Sequence, residues 1–304
     1  MRIGWVSSVL MLRMPLLPAL GLIIMLLAAP AAKADPLKVA ISQRGFWDSS
    51  FIDFAIRQDF FKQEGLEIEA FYTDGGASTL DAVMSASVDI GMSNGLLGVI
   101  GRYSKGAPIR VVSAEMTGAS DAFWYATAES GIRSLKDAAG KSIAFSSPGS
   151  STNLMVLALL KQAGIAAKPI AAGGAPATFT QVMTRQIDIG WSVVPFALQD
   201  INEGKARIVA KARDATELAN QTIRANLANV NSLKTKREAI TKFMQVIQKS
   251  IDWGYSNPQA IEIFARNMKV SNAIAKQSVD EFYPKSAMQI GEIRDLDRSL
   301  KDAL

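Results

Sequence analysis

Beyond residue 35 the chain alternates between two hydrophobic periods. Leu37, Val39, Ala40 and Ile41 form a short apolar run that predicts a strand. After a polar loop at 42–48, Phe51, Ile52, Ala55, Ile56, Phe60 and Phe61 fall at helical spacing. One helix is expected there, from a Ser49 or Ser50 N-cap to a stop at Gly65. Residues 66–72 alternate again and predict a strand, followed by the turn Thr73-Asp74-Gly75-Gly76, a short helix at 78–86 and a buried strand at 88–92. Further strands are expected at 109–114, 142–145, 169–171 and 187–194. Helices are expected at 152–163, stopped by Gly164, and from Gly174 to about 185. From about Lys234 the pattern is helical. Ile240, Phe243, Met244, Ile247 and Ile251 share one face, a second helix starts after Asn257-Pro258, and a third runs from Ser271-Asn272 to Tyr283-Pro284. Strands alternating with helices at these lengths give an α/β fold of mainly parallel sheets flanked by helices. The helical pattern continues to Leu304, so the native C-terminus is expected to extend slightly further.

One stretch recurs. Gly75-Gly76-Ala77 leads to Asp89-Ile90-Gly91-Met92-Ser93, and Gly173-Gly174-Ala175 leads to Asp188-Ile189-Gly190-Trp191-Ser192. This predicts two similar lobes, each delivering a strand to a shared cleft. Ligands of open α/β sheets sit beyond the carboxyl ends of strands, so the residues after Ile90 and Ile189 should face that cleft. Asp89 and Asp188 precede their strands at the opposite end. They therefore read as turn or cap residues rather than paired catalytic acids.

Composition narrows the chemistry. The 304 residues include no His and no Cys, which removes disulfides, thiolate nucleophiles, His-based triads and His or Cys metal sites. No catalytic residue, metal or cofactor is expected. Arg2 and Arg13 precede an uncharged apolar run that ends at Ala32-Lys33-Ala34, the pattern of a secretory signal peptide over 1–34 cut before Asp35. That segment holds three basic residues and no acid, so its removal takes the formal charge from +5 to +2. Nucleic-acid binding then loses its support, and the mature protein is expected to be soluble, exported and without a membrane insertion.

The ordered motifs resemble the periplasmic solute-binding proteins of ABC importers, in the branch with sulfonate-, taurine-, nitrate- and thiamine-precursor-binding members. They are Asp74-Gly75-Gly76, the Ser87–Asn94 stretch, Ser134-Leu135-Lys136-Asp137 with Gly140-Lys141, Pro148-Gly149-Ser150-Ser151-Thr152, Gln186–Trp191 and Pro195-Phe196. The resemblance implies a two-lobed, type II periplasmic-binding fold with the ligand cleft between lobes. It implies lobe one at 35–118, lobe two at 119–218, and a return to lobe one with C-terminal helices at 219–304. It also implies a monomer that closes on a small solute and docks on an ABC permease driven by its ATPase. An enzyme that makes the thiamine pyrimidine has a related fold, but that branch is associated with an essential His and a Cys-rich motif, both absent here. A ligand-sensing module is the remaining alternative; it would carry a fused membrane span or kinase.

Candidate ligand residues follow from the loops. Ser147, Gly149, Ser150, Ser151 and Thr152 lie between a strand and a helix start, where free N–H groups, hydroxyls and the helix dipole favour an anion. Arg44 could pair bidentately with a sulfonate or carboxylate, beside Gln43. Phe46, Trp47 and Trp191 could stack on a flat ligand, although at least one of the first two is expected in the core. Ser93 and Asn94 could hydrogen-bond it, and Thr117 with Gly118 could lie at the hinge. A small organic anion is expected, such as a sulfonate or taurine. A thiamine pyrimidine precursor, nitrate or another aromatic solute is the alternative.

Overall fold

The computed structural model describes Met1 and residues 36–304; apart from Met1, the expected export signal at 1–34 lies outside the described residues. β1 (Leu37–Ser42) runs to a loop and then α1 (Phe51–Arg57) and α2 (Phe60–Gln63). The single helix expected here is broken because Asp59 takes the left-handed backbone, φ 55°. The break turns Phe60 and Phe61 inward. Next come β2 (Ile68–Thr73), α3 (Gly76–Met84), β3 (Ile90–Gly95), α4 (Leu96–Tyr103) and β4 (Ile109–Thr117). α4 follows β3 without a loop and buries Leu96, Val99 and Ile100. The chain then builds β5 (Ala122–Thr127), β6 (Ser142–Phe145), α5 (Ser151–Ala163), β7 (Lys168–Ala171), α6 (Ala175–Met183), β8 (Gly190–Val193), α7 (Leu198–Asn202) and β9 (Ala206–Lys211). It returns through β10 (Thr222–Asn229), α8 (Val230–Thr235), α9 (Arg237–Ser256), α10 (Pro258–Met268), α11 (Asn272–Phe282), β11 (Met288–Gly291) and α12 (Leu296–Ala303).

Two lobes result. One is a six-stranded sheet in the order β11-β4-β10-β3-β1-β2; the other combines β8-β5-β9 with β6-β7. The sheets are mixed rather than mainly parallel as expected: among the described strands only β1 with β2 and β3, and β6 with β7, pair in parallel. β10 re-enters from the other lobe and so runs antiparallel between β3 and β4, while β5 pairs antiparallel with β8 and β9. The two crossing segments lie side by side. Gly118 N donates to Gln221 O at 2.9 Å, and the hydroxyls of Thr117 and Thr222 lie 3.1 Å apart.

The repeated Asp residues do the same job in both lobes. The Asp89 carboxylate accepts from Lys38 N at the start of β1 (2.9 Å), Ser232 Oγ (2.6 Å) and Lys236 Nζ (2.9 Å). Asp188 accepts from the N and Oγ of Ser142 at the start of β6, at 2.9 and 2.8 Å. Burial pushes the Asp89 carboxyl up, but the bonds from Ser232, Lys38 and Lys236 outweigh it and hold the group below its ordinary value. Trp47 anchors the first lobe's core, edge-on to Phe51, Phe54, Tyr255 and Phe264 at 5.3–5.7 Å. Phe61 stacks on Phe243 of α9 at 5.3 Å. No described helix is long and apolar enough to cross a membrane.

Candidate ligand site

The carboxyl ends of β1 and β3 and the N-terminal ends of α3 and α5 converge between the lobes on a cavity of about 40 Å³. β1 delivers Ser42 and Gln43, β3 delivers Ser93, α3 presents Gly76, and the loop into α5 presents Ser146 and Ser150 to Thr152. Phe46 and Trp191 line the cavity as well, from the first and second lobes. Trp191 is fixed by its Nε1–H, which donates to Gly173 O at 3.1 Å. At the start of α5, Ser150 is the N-cap and accepts from Asn153 N at 3.2 Å. The first-turn N–H groups of Ser151 and Thr152 have no intrahelical partner and point toward the cleft end of the helix.

Beneath the cavity lies a buried ionic network. Arg224, on β10, is 4% exposed. Its Nη1 meets Asp48 Oδ2 at 3.0 Å and Asp121 Oδ2 at 2.6 Å, and its Nε donates to Ser151 Oγ at 3.2 Å. One guanidinium thus touches the first lobe, the crossing segment and the start of α5. Burial opposes its charge, but Asp121 and Asp48 more than offset that, so Arg224 stays above its ordinary range. Beside it, Ser93 adopts φ 58°, an uncommon conformation for a non-glycine. Glu115 holds that turn: Ser93 N donates to Oε2 at 2.6 Å, and Ser93 Oγ lies 2.7 Å from Oε1 and 3.1 Å from Asp48 Oδ2. Burial, and next the nearby Asp48 charge, push the Glu115 carboxyl up to about 8 against the lowering effect of the Ser93 bonds and Arg224. One hydroxyl proton cannot satisfy two carboxylates, so a protonated Glu115 completes the set.

The lobes touch around this cavity. Gly98 N on α4 donates to Gly149 O at 3.0 Å, and Phe46 meets Phe196 edge-on at 6.1 Å. A second cavity of about 50 Å³ adjoins the first and shares Gly76, Gly95 and Ser150 with it.

The sequence candidates fall into three groups. Gln43, Phe46, Ser93, Ser150, Ser151, Thr152 and Trp191 line the first cavity. Asn94, Ser147 and Gly149 line the second. Arg44, Trp47 and Thr117 line neither: Arg44 is exposed and sits over the Tyr72 ring at 4.0 Å, Trp47 is core, and Thr117 sits at the crossing. Sequence reasoning missed Arg224, Glu115 and Asp121 and treated Asp48 as ordinary loop. The available signal was a lone Arg between Ile223 and Leu227 in a fully buried strand, since charges are rarely buried without partners.

Two α/β lobes, joined by two crossings and meeting over a small polar cavity, define a two-lobed protein of the periplasmic-binding fold. Residues 48–261 match the NMT1/THI5-like family, and the chain belongs to it. No curated protein matches the chain in sequence. Its fold is similar to that of the periplasmic aliphatic sulphonate binding protein SsuA from Escherichia coli, with 19% identity over 88% of this chain and 85% of that one and a TM-score of 0.71. It is also similar to the alkanesulfonate-binding protein SsuA from Xanthomonas axonopodis pv. citri bound to MOPS, with 18% identity, 90% and 91% coverage and a TM-score of 0.75. The Candida albicans CA3427 gene product, described as having the generic periplasmic binding protein fold, matches with 17% identity, 88% and 89% coverage and a TM-score of 0.70. At these identities the likeness concerns the fold.

Proposed function

We propose that this chain is the solute-capturing component of an ABC importer, acting in the periplasm as a monomer without a catalytic step and handing its solute to a permease and ATPase. The moving bodies are residues 35–118 with 219–304 and residues 119–218, hinged at the paired crossings. Closure is favoured by a solute that touches both lobes only in the closed state.

The solute is a small organic anion of sulfonate type. One observation carries this reading: the N-termini of α3 and α5 and the Arg224 guanidinium converge on a single cavity. Each helix N-terminus acts as roughly half a positive charge. Asp48 and Asp121 together outweigh the single Arg224 charge, so the pull comes from the helix ends and from hydroxyls whose protons are free, such as Ser151, whose oxygen accepts from Arg224. Several donors in a ring suit a head group with three oxygens. The similarity in fold to two sulfonate-binding proteins supports the same class.

A second reading, a thiamine pyrimidine precursor, is favoured by Asp48 together with Phe46 and Trp191 on the same cavity. A carboxylate can accept from a ring amine while the aromatic walls stack on the ring. A thermal-shift panel on unfolded and refolded protein separates the two. Free ligand at 100 times Kd adds about 2.7 kcal/mol of stability. Alkyl sulfonates are expected to raise the melting point; a shift with aminopyrimidines and none with sulfonates or carboxylates replaces the first reading by the second.

A further inference from the structure

We propose that the solute carries a second polar group with a donor and an acceptor side by side, such as a carboxamide, and that Asn94 recognises it in the adjoining cavity. The inference rests on the anion reading above and extends it from one group to two. Asn94 is 1% exposed and lines the second cavity. Neither its Oδ1 nor its Nδ2 has a hydrogen-bond partner among the described residues. A buried amide with both ends unpaired is unfavourable and rare in folded proteins. It gains nothing for the fold that a leucine of similar size would not.

The surroundings favour recognition from the cavity side. A Cβ at Gly91 would lie 3.1 Å from Asn94 Nδ2, so the amide is packed closely against β3 behind it. The strand pairing of Asn94 with Ala225 fixes its backbone. Arg102, which also lines the chamber, is exposed and lies 3.6 Å from Asp81. The Gly149 carbonyl is taken by Gly98 N. Asn94 thus carries an unpaired acceptor and an unpaired donor on one rigid group at the wall of the chamber, and the proposed ligand amide would pair with both. Ser93 lines the first chamber and Asn94 the second, so consecutive residues of β3 contact the two ends of one solute.

The test uses two sulfonates that differ only at the far end: 3-amino-3-oxopropane-1-sulfonate, an amide, and 3-oxobutane-1-sulfonate, which carries a methyl where the amide has NH2. Titration calorimetry on the refolded wild type is expected to give at least about tenfold tighter binding of the amide, because a site built for an N–H leaves its acceptor unpaired against a methyl. In Asn94→Leu that ratio is expected to fall to about one, and the ligand-free variant is expected to melt no lower than the wild type. Equal binding of the two compounds by the wild type overturns the inference while leaving the anion reading standing. Melting of Asn94→Leu several degrees below the wild type assigns the residue a structural role and also overturns it. Binding of neither sulfonate sinks the anion reading itself, and the inference falls with it.

Discussion

The backbone of Gly95, at the end of β3, packs so closely on Ser151 at the start of α5 that a Cβ on Gly95 would stand 2.7 Å from the Ser151 nitrogen. It would also stand 2.9 Å from Gly149 O. The backbone of Gly95, φ −59° and ψ 121°, suits any residue. Glycine is needed there for the approach of the lobes and not for the conformation of the chain.

Gly95→Ala is therefore expected to fold with near-normal stability but to resist closure. Small-angle scattering with saturating solute should show a larger radius of gyration than the wild type. Affinity should fall at least about tenfold, about 1.4 kcal/mol. A variant that closes as fully as the wild type would show that the backbone gives way without cost.

Arg224→Met leaves Asp48 and Asp121 buried with no cation. Removing one partner of a buried pair costs about 3–5 kcal/mol, and for a domain of this size each kcal/mol is worth about 2–4 °C. A fall of about 10 °C in melting temperature is expected by calorimetry. Adding Asp121→Asn should recover part of it, because one uncompensated charge is then gone. No recovery would mean that Arg224 acts through its bond to Ser151 and not through the carboxylates.

Glu115 predicts a pH dependence. Its folded value of about 8 lies above that of an ordinary Glu. Between about pH 4.5 and 8 the native state therefore binds a proton that the unfolded chain has released, and the stability from this group falls as pH rises, by at most about 1.4 kcal/mol per pH unit. Glu115→Gln keeps an acceptor for Ser93 N and cannot ionise. Denaturant titrations should show its stability flatter than the wild type across that window and relatively higher at pH 8. Parallel profiles would mean that Glu115 is already ionised in the folded protein.

Much of the fold was legible because it is local. Asp89 and Asp188 were readable as structural because they precede their strands, and each proves to tie down the start of a neighbouring strand. Ser150 to Thr152 were readable because a Ser/Thr cluster before an apolar helix is a local signature. The ionic network was not. Arg224 meets Asp121 across 103 residues and Asp48 across 176, and no local period encodes such a meeting. Arg44 shows the same limit: adjacent loop residues can face opposite ways, and Gln43 lines the cavity while Arg44 lies over Tyr72. The broken helix at Asp59 likewise depends on where α9 packs, since Phe61 finds Phe243 there.

Arg44 gives the sharpest contrast between sequence and geometry. From the sequence, Arg44→Ala should weaken an anionic solute far more than a neutral one. In the structure the guanidinium lies 4.0 Å from the centroid of the Tyr72 ring, on the exposed side of the loop, and touches neither cavity. Tyr72 is itself held by its hydroxyl, which donates to Ser49 O at 3.2 Å, and burial and next the Asp53 charge push that hydroxyl up to about 12. It thus stays neutral at physiological pH and presents an intact ring face. An exposed cation–π contact is worth about 0.5–1 kcal/mol. Arg44→Ala should accordingly lower the melting temperature by a few degrees at most and change sulfonate affinity less than about twofold. Ser151→Ala, which removes a cavity hydroxyl and the acceptor for Arg224 Nε, should cost about 1 kcal/mol of binding, roughly fivefold. Titration of both variants with one sulfonate decides between the two positive groups. A tenfold loss in Arg44→Ala beside an unaffected Ser151→Ala would place the anion at the outer loop and away from the start of α5.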